Sequence, residues 1–222
     1  FIGAVAFSHS ALERLVSMGA DIVGVCTLKE SKFNSDHVDL SHISALHGIP
    51  WLYADDINSV ESIEWIKRKA PDVIFCFGWS KLLKQRLLEL ASLGVIGFHP
   101  AALPTNRGRH PLIWALVLGL KKTASTFFFM DDGADSGDIL SQCDIQISDE
   151  DDASSLYKKT TQAALGQIEE FIPGREIQVA IMGDKTLGAI ELEPKRKFYD
   201  YKAKYNSNAK TKHIIPVNLS KK

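Results

Sequence analysis

Residues 70–100, APDVIFCFGWSKLLKQRLLELASLGVIGFHP, carry the pattern that decides the fold. Two apolar, β-rich runs, Asp72–Phe77 and Val95–His99, flank Lys81–Leu90, whose leucines recur at helical spacing. Pro71 stands ahead of the first run and Gly94 ahead of the second. A strand–helix–strand unit of this size lays its strands parallel, and continuous apolar strands imply a sheet covered on both faces. Toward the N-terminus, Ile2–Phe7 and Ile22–Thr27 read as further strands around a helix from Ser10 to Met18. That helix sets Leu12, Leu15 and Val16 on one face, Ser10 and Glu13 make a capping box, and Gly19 stops it. Val60–Lys69 reads as another amphipathic helix.

Beyond Pro100 the pattern loosens. Ala101–Pro111 is a loop rich in Pro, Gly and Arg, and Leu112–Gly119 reads as a helix with Trp114 packed at a core position. Ser125–Met130 and Ile139–Ile147 are strand-like, separated by a turn with two glycines and four aspartates. Ala153–Glu170 reads as a closing helix before Pro173-Gly174 breaks the pattern, which divides the chain into residues 1–170 and 171–222.

Composition sets outer limits. The chain has 222 residues, is 45% hydrophobic and 24% charged, and carries a net charge of −1, so its average surface does not attract nucleic acid or anionic lipid. Lys and Arg outnumber acids from Lys185 onward, as on a solvated surface. Three cysteines at no metal-ligand spacing, two of them in apolar runs, point to no metal and to a reducing compartment, the cytoplasm. No apolar run reaches the ~18 residues of a membrane span. The opening FIGAVAF does not read as a signal peptide, and the chain starts without methionine, so Phe1 reads as other than the natural start.

Sheets of this kind bind ligands beyond the carboxyl ends of their strands, where His9, Trp79 and His99 fall. His99 is held by a Pro-containing loop, and Asp135 follows in a Gly-flanked turn. By composition alone these are a loop histidine and a turn aspartate. As chemistry, a histidine oriented by a carboxylate removes the proton of an attacking amine and returns one to a leaving nitrogen. No G-x-S-x-G elbow or other placed nucleophile supports a hydrolase triad.

HPAALPTNRGRHPLIWAL (99–116) and MDDGADSGDIL (130–140) resemble the signature segments of the formyltransferases that use 10-formyltetrahydrofolate. FCFGWSKLL (75–83) and SHSALERLVSMGADIVGVCT (8–27) extend the resemblance over about residues 1–170. It implies a Rossmann-like, mostly parallel α/β sheet with helices on both faces. It also implies transfer of a formyl group to a primary amine, with His99 as general base and acid and Asp135 as its partner. Phe77, Gly78 and Trp79, the loop residues Leu103, Pro104, Arg107 and Gly108, and the turn residues Met130, Asp132 and Gly133 would border the folate. The family places an asparagine two residues before the histidine, as donor to the formyl oxygen. This chain has Gly97 there, with His110 and Asn106 as substitute donors to consider; His110 reads equally as a packed loop residue. Arg107 and Arg109 read either as partners of a substrate phosphate or folate glutamate, or as loop braces. The acceptor expected is an amino sugar on a nucleotide carrier. Methionyl-tRNA is disfavoured by the charge and by the missing C-terminal OB-like domain, and a folate-binding module without turnover is the reading that Gly97 motivates.

GREIQVAIMGDKTLGAIELEPKRKFYDYKAKYNSNAKTKHIIPVNL (174–219) resembles part of the ATP-grasp domain of D-alanine–D-alanine ligases. REIQVAIM and GAIELEP read as a hairpin across a Gly-Asp turn. The resemblance implies a partial ATP-grasp-like segment with Glu176, Lys204 and Tyr205 near nucleotide phosphates, and ATP as a ligand only if the segment is completed.

Overall fold

The computed structural model describes residues 1–32, 34–170, 176–182, 185–193 and 212–214. The chain forms two compact units, Phe1–Phe171 and Ile172–Lys222. In the first, the elements in order are α1 (Ala6–Ser17), β1 (Val25–Thr27), α2 (Ser41–Leu46), β2 (Trp51–Tyr53), α3 (Val60–Lys69), β3 (Ile74–Cys76), α4 (Gln85–Leu88) and β4 (Val95–His99). α5 (Pro111–Val117), β5 (Lys122–Phe129), β6 (Ile139–Gln146) and α6 (Ala153–Glu170) follow.

β1 pairs with β2 and β3 with β4, both parallel, and Ile2 bridges Cys26 and Cys76 in parallel, joining the pairs into one sheet. β4–β5 and β5–β6 are antiparallel. The sheet is therefore mixed: Rossmann-like in its first half and a meander after His99. Alternate residues serve opposite faces. Ile74, Cys76 and Val95 pack with Ile66 of α3 and Leu87 of α4, while Phe75, Phe77, Ile96 and Phe98 meet Phe7, Ala11 and Leu15 of α1 and Ala164 and Ile168 of α6.

α1 starts at Ala6, ahead of the Ser10 start expected, because tertiary partners cap it. The Val5 amide donates to Ser8 Oγ at 3.2 Å, Ala6 N–H to the Asp36 carbonyl at 2.9 Å, and Phe7 N–H to the Tyr157 hydroxyl at 3.0 Å. Tyr157 donates in turn to Asp36 Oδ2 at 3.0 Å, so α6 is stapled to the start of α1. Trp114 is 54% exposed, against the packing role expected of it; α5 buries Leu112 and Ala115 instead.

In the second unit β7 (Glu176–Met182) and β8 (Lys185–Glu193) form the expected antiparallel hairpin, and β9 (Lys212–Ile214) adds to β8. Glu176 opens β7 opposite Leu192; Lys204 and Tyr205 lie outside the described residues.

Candidate active site

β4 delivers His99 to the carboxyl edge of the sheet, on the same face as Val95 and Gly97. The chain then turns sharply: Ala101 N–H donates to the His99 carbonyl at 2.9 Å, and Leu103–Pro104 is cis. A side-chain brace holds this loop from behind. Thr126, opposite His99 and fully buried, donates to the Ala101 carbonyl at 2.7 Å. The Gln142 amide donates to Thr126 Oγ1 at 2.9 Å and to the Leu103 carbonyl at 3.1 Å. The brace was not among the sequence expectations. Its signal is the β5–β6 alternation, which aims Thr126 and Gln142 at the same face as His99.

His99 is 6% exposed, so it is a buried histidine at the strand end rather than one out in solvent. Its Nε2 lies 2.9 Å from the Asn106 carbonyl, and its Nδ1 lies 3.5 Å from Asp135 Oδ2. A carbonyl only accepts, so Nε2 carries a hydrogen. In the neutral ring Nδ1 is then the basic nitrogen, and it faces the carboxylate. Asp135 is held in left-handed backbone (φ 52°), a conformation aspartate tolerates, and its Oδ2 accepts from Gly108 N–H at 3.0 Å. The loop after β4 and the turn after β5 thus meet at the pair. Within the turn, Asp131 Oδ1 accepts from Gly133 N–H at 3.0 Å and Ser136 Oγ at 2.7 Å, which fixes its shape.

Gly97 lies directly across from Phe128. A Cβ built there comes within 2.9 Å of both Phe128 Cζ and Met130 Cγ, distances real side chains do not adopt. A side-chain donor at this position would have to push one of those two side chains aside. Asn106 contributes its carbonyl to the pair. His110 is exposed at the N-cap of α5 in left-handed backbone (φ 57°), and neither side chain bonds to His99 or Asp135.

The remaining candidates divide by accessibility. The Phe77 ring is 1% exposed among Phe1, Phe7, Phe75 and Phe127, so only its backbone faces the edge, and its carbonyl accepts from Ser8 Oγ at 2.5 Å. Gly78 (φ 66°) crowds Val5 so closely that a Cβ would sit 2.1 Å from its Cγ2; the turn it allows carries Trp79 over the edge. Trp79 Nε1 is a buried donor with no partner among the described residues. Leu103 is buried and Met130 half-buried, while Pro104, Arg107, Gly108, Asp132 and Gly133 are exposed. Cys26 and Cys76 are buried beneath the sheet edge, and burial raises their thiols to about 11 and about 12. Among the described residues no group of acids, histidines and cysteines is placed to hold a metal, and no helix is long and apolar enough to cross a membrane.

Residues 8–169 match the family described as formyl transferase, and residues 150–222 match the C-terminus of D-ala D-ala ligase. The matches overlap on α6, which packs on α1, α5, β5 and β6 in the first unit. Methionyl-tRNA formyltransferase of Geobacter sulfurreducens is 33% identical over 176 residues, which are 78% of this chain and 56% of that protein. D-alanine–D-alanine ligase of Pelagibacter ubique is 85% identical over 54 residues, 24% of this chain and 18% of that protein. The chain thus spans about half of one relative and under a fifth of the other. Among solved structures, phosphoribosylglycinamide formyltransferase from Bacillus halodurans superposes with a TM-score of 0.66 at 20% identity, covering 78% of this chain and 93% of that one. A sugar 3N-formyl transferase, WlaRD, solved in the presence of dTDP and 5-N-formyl-THF, superposes with a TM-score of 0.60 at 18% identity, covering 76% and 59%.

Proposed function

The chain belongs to the formyl transferase family, and from that membership we propose that it transfers a formyl group from 10-formyltetrahydrofolate to a primary amine, with a nucleotide-linked amino sugar as acceptor. Residues 1–170 are the catalytic domain in this reading, and residues 171–222 are a partial ATP-grasp-like segment. The observation that carries the proposal is the pair itself: buried His99 has Nε2 2.9 Å from the Asn106 carbonyl and Nδ1 3.5 Å from Asp135 Oδ2.

10-Formyltetrahydrofolate supplies the formyl group. His99 Nδ1 takes the proton of the attacking amine and gives one back to the departing nitrogen. Asp135 stabilises the ring while it is charged, and the Gly108 amide keeps that carboxylate aimed. General acid–base catalysis of this kind contributes roughly 10²–10⁴ in rate. Gly97 has no side chain to donate to the formyl oxygen, and one placed there would have to displace Phe128 or Met130. The rate is therefore expected to be lower, by roughly 10²–10³, than with such a donor present.

Two observations fit a folate. Trp79 Nε1 is a buried donor awaiting an acceptor. Arg107 and Asp132 are exposed on the two loops that meet at the pair, and no ion pair engages either among the described residues. Arg107 suits a glutamate carboxylate, and Gly78, Leu103, Pro104, Gly108, Met130 and Gly133 are read as the rim of the flat ring, with the amides of Leu103, Gly108, Met130 and Gly133 bonded within the chain.

A sugar acceptor is supported by the likeness to WlaRD and by a net charge of −1. Methionyl-tRNA is the second reading, favoured by the 33% identity to a methionyl-tRNA formyltransferase. The test is to incubate the chain with 10-formyltetrahydrofolate and a panel of amino-sugar nucleotides, glycinamide ribonucleotide and methionyl-tRNA, and to weigh the products. Formylation of a sugar nucleotide is expected. Formylation of methionyl-tRNA alone selects the second reading, and tight folate binding with no product reduces the site to a binding module. For the second unit, ATP contact at Glu176, Lys204 and Tyr205 predicts nucleotide protection from proteolysis near Lys204; unchanged cleavage removes it.

A further inference from the structure

We propose that a cavity beside the His99 loop holds the acceptor through a phosphate, with Arg109 and Lys81 as the residues that bind it. The use made of the bound molecule rests on the formyl-transfer reading; the binding itself does not.

The cavity, about 240 Å³, opens among Leu28, Asn34, Trp79, Ser80, Lys81 and Arg109. Leu28 follows β1, Trp79 and Ser80 follow β3, and Arg109 lies on the loop after β4. These strands run in one direction, so the cavity sits at their shared carboxyl edge, where such sheets bind ligands. Arg109 adjoins Gly108, whose amide holds Asp135, so a molecule in the cavity lies next to the His99 loop.

Charge indicates what it takes. Arg109 is exposed and pairs with no acid among the described residues. Lys81 Nζ donates to the Asp55 backbone carbonyl, and no ion pair engages it among the described residues. Two such cations on one concave rim favour a multiply charged anion, and a guanidinium matches phosphate oxygens in a two-point grip. Ser80 Oγ donates to Asn34 Oδ1 at 3.0 Å, and the Asn34 side-chain amide nitrogen has no acceptor among the described residues, so it can donate to a ligand oxygen. Trp79 and Leu28 add an apolar wall suited to a ring. The volume falls below the roughly 300–1,000 Å³ of pockets that enclose a whole ligand, so the cavity takes a phosphate and part of what it carries.

The test is calorimetric titration of the full chain with thymidine diphosphate at low salt, with inorganic pyrophosphate as competitor. Binding is expected to weaken by about tenfold or more in Arg109→Ala and in Lys81→Ala, and to recover in part in Arg109→Lys. Both side chains are exposed, so the substitutions leave the core intact. Pyrophosphate is expected to displace the nucleotide. Absence of binding, equal binding by the alanine variants, or failure of pyrophosphate to compete overturns the pocket. The two readings fail separately. Arg109-dependent binding in a chain that formylates nothing keeps the pocket and removes the transfer, whereas transfer with an acceptor KM unchanged in Arg109→Ala keeps the transfer and removes the pocket.

Discussion

The two units of this chain carry likeness of opposite kinds. The first shares about a third of its residues with a formyltransferase and brings a histidine, a carboxylate and their braces together from three separated segments. The second resembles a D-alanine–D-alanine ligase far more closely in wording, 85% over 54 residues, and its described residues form three antiparallel strands. Identity measures how recently two texts parted. Chemistry requires groups that converge, and convergence comes from long-range packing such as Thr126 and Gln142 behind the His99 loop. A hairpin is made chiefly of local pairings and supplies fewer of those crossings.

Variants can sharpen or break that contrast. After removal of His99 itself, the largest effect is expected from Asp135→Asn, which keeps the shape but removes the charge that would stabilise protonated His99. It should lower kcat by about 10²-fold or more with folate affinity retained, as single-turnover rates and a folate titration will report. An unchanged rate would make Asp135 a brace only. Next, Gly97→Asn should destabilise the chain by about 1–3 kcal/mol in urea unfolding, because the new side chain meets Phe128 and Met130. Adding Phe128→Ala should cost less than the sum of the two single changes. A Gly97→Asn chain of full stability would show that the strand can yield.

Alkali should act on the first unit through its two buried thiols. Their folded values, about 11 and about 12, lie above the usual thiol value near 9, so the proton is held more tightly in the folded state. The stability they contribute is complete below pH ~8.5 and is lost as pH rises through 9 toward 11–12. Tm measured against pH should fall over that window, and less steeply in Cys76→Ala; equal slopes would assign the loss to other groups. At pH 8 iodoacetamide should label Cys143, which is exposed, well ahead of Cys26 and Cys76. Smallest of all, removing residues 172–222 should leave transfer unaltered, since every residue assigned to it lies in the first unit. A large loss would mean that the units share the site.

Much of this was legible in the sequence where a local rule governs. Val60–Lys69, Val95–His99 and Ala153–Glu170 carry their own periodicity and boundaries, and the structure has them at those residues. The start of α1 was not legible, because Asp36 and Tyr157 set it from far along the chain. Nor were the short α2 and β2, whose six and three residues carry too little pattern, or the outward turn of Trp114. At the site, loop composition alone read His99 and Asp135 as a loop histidine and a turn aspartate; the resemblance of residues 99–116 and 130–140 singled them out. Which ring nitrogen faces the carboxylate was not legible, since it depends on the Asn106 carbonyl taking Nε2. Gly97 was visible as a departure, but the crowding at it comes from Phe128 across the sheet, which no reading along the chain connects to it.

The central claim is that His99 is the group that moves the proton. It is tested most directly by measuring formyl transfer to an amino-sugar nucleotide for the wild-type chain and for His99→Asn, with folate binding followed on the same samples. Product is expected from the wild type, with a loss of roughly 10²–10⁴ in rate in the variant and folate affinity little changed. Product formed by His99→Asn at the wild-type rate would contradict it.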